Sequence, residues 1–285
     1  MLVTKAEVVD KAEIYNLWKE NFAFDDDGYT DFYFNDGYEK ADNYLLKHDE
    51  KIVSCLQVLH HQMSFNDDIV DYAFIVGVIT AKQYRRQGYM KTLLSEVLSL
   101  IEGPLTLIQG YKPEIYYPFG FKPQYRQRKV VIKPSPQQFS GYDTNIDFGV
   151  SEMTELYRLF ISQRNGAKVR DENDFVRLLN LLKAMGRKVL FLALAGELKA
   201  YMIYDDRQGI KVEELIYQSE AEARILLAHF VAEVELIINA GEECLCEQII
   251  AEKGEFLTLV RCEDPLLEEK YFKDEKRRLY FNEYE

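Results

Sequence analysis

The chain has 285 residues, a formal net charge of -13, 47% hydrophobic residues and 13% aromatic ones. That length suits two domains of ordinary size, and the apolar and aromatic content excludes a disordered chain. The acidic balance excludes non-specific binding to nucleic acid or an anionic membrane surface. No apolar run reaches the roughly 20 residues of a membrane span, and no cationic, then apolar leader opens the sequence, so the expected location is the cytoplasm.

Ile14, Leu17, Trp18 and Phe22 recur at helical spacing and predict a helix over 12–22, which Asp25-Asp26-Asp27-Gly28 punctuates. Three strands follow at 44–47, 52–65 and 69–80, separated by Asp49-Glu50 and Asn66-Asp67-Asp68. The third is apolar almost without interruption from Tyr72 to Ile79, the pattern of a central strand covered on both faces. The charged turn Arg85-Arg86-Gln87-Gly88 then leads into a helix whose Met90, Leu93, Leu94, Val97, Leu98 and Ile101 share a face, and Gly103-Pro104 stops it. A strand at 105–109, a helical turn at 112–117 and a strand at 128–132 precede Pro134-Ser135-Pro136 and the polar Gln137-Gln138. This is the best boundary in the chain and predicts domains over 1–135 and 136–285.

The second part reads as a helix over 151–162 capped by Ser151, a helix over 172–185 and a hairpin of 189–194 and 198–204 across Ala195-Gly196-Glu197. A strand over 210–218 and a helix over 221–238 follow. The order repeats that of the first part and predicts a structural duplication.

Cys55, Cys244, Cys246 and Cys262 read as reduced, mostly buried thiols, because the Cys244-Leu-Cys246 spacer is too short for a metal site and the chain has four His. His60 and His61 are neighbours on a strand and face opposite ways. No metal is assigned.

A strand-to-helix turn leaves the first N–H groups of the helix without partners, and with the helix dipole they favour an anion such as a pyrophosphate. Gly88 permits close approach of the backbone, and Arg85, Arg86 and Lys91 add positive charge.

Arg85-Arg86-Gln87-Gly88-Tyr89-Met90, after an apolar strand, resembles the pyrophosphate loop Q/R-x-x-G-x-G/A of the GNAT superfamily of N-acetyltransferases. Arg85 and Gly88 match its first anchors, and Met90 departs from its last. About 30 residues on, Ile115-Tyr116-Tyr117-Pro118-Phe119-Gly120-Phe121 is similar to the I-Y-x-x-F-G-Y segment of the enhanced intracellular survival subfamily. The resemblance covers residues 1–133. It implies a mixed α/β fold of two tandem GNAT-like domains, each a twisted mixed sheet flanked by helices, the second degenerate. Ser219-Glu220 stands where that second domain would need a basic turn, so it should hold no coenzyme A. The sterol-carrier-like third domain of longer relatives, with its C-terminal carboxylate, is not expected here.

The resemblance further implies acetyl-CoA as cosubstrate, held by Arg85, Arg86, Gln87, Gly88, Tyr89, Met90 and Lys91, with direct attack of an amine on the thioester. Backbone N–H groups at Val78 and Ile79 would run beside the pantetheine, and Tyr116 would hydrogen-bond the leaving sulfur, with Tyr117 as the ring most easily confused with it. Asp71, Glu114, His60 and His61 are nearby in the inferred layout, but none is assigned as a base. A small cationic amine is the expected acceptor, drawn to an acidic mouth at Asp25, Asp26 and Asp27. A protein or peptide amine, or a non-catalytic acyl-CoA-binding module, are the alternatives, and a homo-oligomer stays open.

Overall fold

The computed structural model describes residues 2–22, 27–65, 68–136, 140–246, 248–272 and 278–282. Asp25 and Asp26, the hairpin tip at Asn66-Asp67 and Gln137-Gln138 of the expected boundary lie outside the described residues.

In chain order the first part comprises β1 (Val3–Lys5), α1 (Lys11–Phe22), α2 (Tyr29–Phe32), β2 (Asp42–His48), β3 (Lys51–Phe65), β4 (Asp68–Thr80), α3 (Tyr89–Leu100), β5 (Leu105–Gln109) and β6 (Lys122–Ile132). The remainder comprises β7 (Tyr142–Asp143), α4 (Val150–Ile161), β8 (Arg164–Asn165), β9 (Ala167–Lys168), α5 (Glu172–Ala184), β10 (Lys188–Leu194), β11 (Glu197–Asp205) and β12 (Ile210–Tyr217). After these come α6 (Glu220–Leu227), β13 (Val234–Asn239), β14 (Ile249–Cys262), α7 (Pro265–Phe272) and β15 (Arg278–Leu279).

One mixed sheet runs through the described residues in the order β1-β2-β3-β4-β5-β14-β6-β13-β12-β11-β10-β7. Its first part is sandwiched. Leu93, Leu94, Val97 and Leu98 of α3 fall on one helical face and pack on Leu56, Val58 and Ile75, while Ile14, Leu17 and Trp18 of α1 pack on the opposite face with Leu59 and Phe74. A fully buried leucine contributes about 1.5–3 kcal/mol, so these two stripes fix both helices on β3 and β4. A third core forms beyond β6, where Met153, Leu156 and Phe160 of α4 meet Tyr201 and Ile216.

Several expectations are corrected. The stretch over 221–238 is not one helix: α6 stops at Leu227, and Val234, Leu236 and Ile238 alternate inward in β13, pairing antiparallel with β6 and parallel with β12. The unpaired edge of β6 needed a partner, and a strand-period pattern supplies it. β6 itself starts at Lys122 rather than 128, with Tyr125 and Gln127 turned inward among charged neighbours. β14, unread in the sequence, fits between β5 and β6, so a strand from the last forty residues completes the sheet of the first part. α4 begins at Val150, one residue before Ser151, and its entry is held by Glu152 accepting from the Gly149 N–H at 3.2 Å. Of the four cysteines, Cys55 is buried, Cys246 and Cys262 are half-buried and Cys244 is exposed.

Candidate functional site

The site begins where two parallel strands part. β4 and β5 pair from Tyr72 with Leu105 to Ile75 with Ile108, and beyond that register they diverge. Just past the split β4 bulges, with Gly77 and Val78 together facing Leu56, and Gly77 adopts a φ of +59°. A Cβ there would lie 2.2 Å from Gln57 Oε1 and 2.3 Å from the Trp18 ring, so glycine alone fits. Trp18 Nε1 donates to that same Gln57 Oε1 at 3.1 Å, which locks α1 over the bulge.

At the end of β4 the chain enters the basic turn. Arg85 Nε donates to the Thr80 carbonyl at 3.1 Å and its guanidinium also reaches Asn21 Oδ1, tying the turn to α1. Arg86 and Gly88 take left-handed conformations with φ of +62° and +87°. No side chain caps α3, so its first N–H groups have no partner from Gly88, and a Cβ at Gly88 would meet no atom within 4 Å. An open, uncapped helix start among Arg85, Arg86 and Lys91 fits an anionic diphosphate.

A cavity of about 460 Å³ runs along this turn, lined by Val78, Ile79, Arg85, Arg86, Gly88 and Lys91, with Tyr89 and Met90 also facing it. Gln87 is not among its lining residues; its amide donates to the Gln83 carbonyl at 3.2 Å. A second cavity of about 540 Å³ shares Phe22, Val78 and Tyr111 with the first and continues past the bulge to Gly110 and Tyr116. The two cavities therefore adjoin beside the gap between β4 and β5.

Tyr116 sits on a 3-10 turn, Pro113–Phe119, that Gly120 ends at a φ of +86°. Its ring meets Phe121 edge-on at 6.2 Å and lies under Gly110, where a Cβ would come within 2.9 Å of it. Burial pushes its phenol up to about 12, so it keeps its proton at neutral pH. Tyr117 is 44% exposed and lines neither cavity.

The other titratable residues singled out in the sequence stand apart. Asp71 accepts from Gln62 Nε2 at 2.9 Å near the opposite end of β4, His60 pairs with Asp42, His61 packs on Tyr72, and Glu114 is exposed outside the lining. Asp27 is bound by Arg187 and Arg207, at 3.1 and 3.0 Å, so its charge is already compensated. Sequence reasoning missed Trp18, Phe22, Tyr29, Tyr111 and Lys112, which line the larger cavity. The one available signal was Gly77 inside an apolar strand, which marks a bulge or a close approach.

The corresponding junction of the second part, β12 to α6, is closed by its own side chains. Ser219 Oγ accepts from the Glu222 N–H at 3.4 Å, and the Glu222 carboxylate accepts from the Ser219 N–H at 2.8 Å.

Residues 3–124 match the family described as an acetyltransferase (GNAT) domain, less than half of the chain. No curated protein sequence gives a significant match. Among solved structures, a conserved protein of Enterococcus faecalis V583 described as a probable N-acyltransferase is similar at a TM-score of 0.73 and 16% identity, over 92% of this chain and 72% of that one. Eis1 from Mycobacterium abscessus gives 0.69 and 14%, over 92% and 74%. A tandem GNAT protein from the clavulanic acid biosynthesis pathway gives 0.59 and 10%, over 93% and 99%. At such identities the likeness is one of fold, and it agrees with a mixed α/β architecture of tandem GNAT type. The segment that holds the bulge, the basic turn and Tyr116 thus lies inside the residues that match the acetyltransferase (GNAT) domain.

Proposed function

We propose that the protein transfers an acetyl group from acetyl-CoA to an amine, with both substrates bound together in the cleft between β4 and β5. The observation that carries this reading is that the two cavities adjoin: Val78 lines both the cavity of the basic turn and the cavity of Tyr116. A diphosphate would be held by the N–H groups at the start of α3 and by Arg85, Arg86 and Lys91, with the pantetheine passing the bulge at Val78 and Ile79.

In this reading the amine nitrogen attacks the thioester carbonyl carbon. The C–N bond forms, backbone N–H groups near Val78 and Ile79 stabilise the oxygen as it becomes anionic, and the C–S bond breaks. The sulfur takes the Tyr116 proton, the nitrogen releases its extra proton to water, and solvent reprotonates the phenol. A purely regulatory acyl-CoA binder has no use for a buried, protonated phenol at that point.

The division into a catalytic part over 1–135 and a degenerate part over 136–285 belongs to the same proposal, supported by the self-capped start of α6. So do kinship with the enhanced intracellular survival subfamily, supported by the Ile115 to Phe121 segment, and a cytoplasmic location. No described helix is long and apolar enough to cross a membrane. Incubation with acetyl-CoA and an amine library, reading release of free thiol, tests the activity. Amine-dependent thiol release is the expected result, and none with any amine would reject it.

A further inference from the structure

We propose that the acceptor is an aromatic amine whose nitrogen is attached directly to the ring, in place of the polycation that the net charge of the chain suggests. This rests on the acetyl-transfer reading above and adds the class of acceptor. The walls beyond the bulge are rings: Trp18, Phe22, Tyr29, Phe74 and Tyr111 line the cavity that holds Tyr116. Trp18 and Tyr29 lie nearly parallel, 19° apart with centroids at 6.5 Å, and Trp18 is backed by Tyr33 at 4.9 Å. Such a wall suits a flat apolar acceptor.

The charges point the same way. Among the described residues no Asp, Glu or His lines either cavity, whereas Arg85, Arg86 and Lys91 line one and Lys112 the other. Arg85, Arg86 and Lys91 would be matched by the diphosphate, which leaves Lys112 facing a polycation in the cavity of Tyr116 with no carboxylate among the described lining residues to offset it.

The chemistry of attack completes the argument. The nitrogen must be neutral, and an alkylamine is an ammonium ion at pH 7 that needs a base to remove its proton. Ring faces would attract that ammonium by cation–π contact, but they would favour the form that cannot attack. A nitrogen conjugated with an aromatic ring is neutral at pH 7, so it needs neither a carboxylate to bind nor a base to react.

Two isomers of equal size separate these cases, 4-methylaniline with its nitrogen on the ring and benzylamine with its nitrogen one carbon removed, and spermidine serves as the polycation. At saturating acetyl-CoA and neutral pH, kcat/KM for 4-methylaniline should exceed the other two by at least about tenfold. It should stay flat between about pH 6.5 and 8.5, while benzylamine gains about tenfold per pH unit as its neutral fraction grows. Ile115→Glu places a carboxylate at a half-exposed lining position and should raise the benzylamine to 4-methylaniline ratio about tenfold. A preference for benzylamine or spermidine would overturn the inference, most decisively if Asp25→Asn/Asp26→Asn removed it. An unchanged ratio in Ile115→Glu would also count against it. Calorimetric titration with acetyl-CoA keeps the two levels apart: binding without transfer to 4-methylaniline rejects the acceptor class alone, and absence of binding rejects the reading beneath it.

Discussion

At the junction of β4 and α3 the chain turns through Arg86 and Gly88 in left-handed backbone, with no cap on the helix and cationic side chains around it. At the junction of β12 and α6 it turns through extended Ser219, whose hydroxyl and the Glu222 carboxylate satisfy the helix start, and Glu220 adds a second negative charge to the first turn. Both helices follow an inner strand of the same sheet and cover it. In the proposed reading the difference lies in the cap: a helix start left uncapped can hold an anion, and one whose own carboxylate fills that place cannot. Beside α6 a cavity of about 540 Å³ persists, but its Arg164 is stacked 3.3 Å over Phe160 and bonded to the Tyr217 hydroxyl at 3.0 Å, so its charge serves the core.

This contrast can be broken most severely at Gly88. Gly88→Glu places a carboxylate at the open helix start and a side chain on backbone with a φ of +87°, and should weaken acetyl-CoA binding roughly 100-fold by calorimetry, from charge repulsion and strain together. Affinity unchanged in a folded variant would remove the turn from the site.

Tyr116→Phe should leave acetyl-CoA binding within about twofold and lower kcat roughly 10²-fold, the ordinary contribution of a general acid. Because burial pushes the phenol up to about 12, wild-type turnover should show no alkaline fall from this group between about pH 8 and 10. Tyr117→Phe, on the exposed ring, should retain wild-type rates, and the reverse pattern would exchange their roles.

The smallest effect belongs to the second part. Ser219→Ala should cost about 1 kcal/mol, seen as a fall in Tm of roughly 2–4 °C, with acetyl-CoA affinity unaltered. A loss of affinity there would join the two junctions functionally.

The first junction was legible in the sequence because its signals are local: an apolar strand, Gly88 with basic neighbours, and Leu93, Leu94, Val97 and Leu98 at helical spacing. β2 to β5 lie within two residues of their expected bounds for the same reason. What was not legible depends on distant pairing. β14 opens with Ile249, Ile250 and a run of charged residues that face solvent, and only the consecutive Thr258, Leu259 and Val260 are buried against β5 and β6, so no local alternation announced it. β13 was absorbed into a helix because Ala221 to Leu227 is helical and the apolar residues that follow admit either period until β6 is present to pair with them. The aromatic wall was hidden in the same way: Trp18 reads as core from its spacing, and its place beside Gly77 arises only when β4 bulges under α1.

The central claim, that one junction holds acetyl-CoA and its counterpart does not, is tested most directly by the stoichiometry of a calorimetric titration. The account predicts one molecule bound per chain, with the same value after Ser219→Ala. Two molecules per chain, or one molecule retained with wild-type affinity in Gly88→Glu, would contradict it.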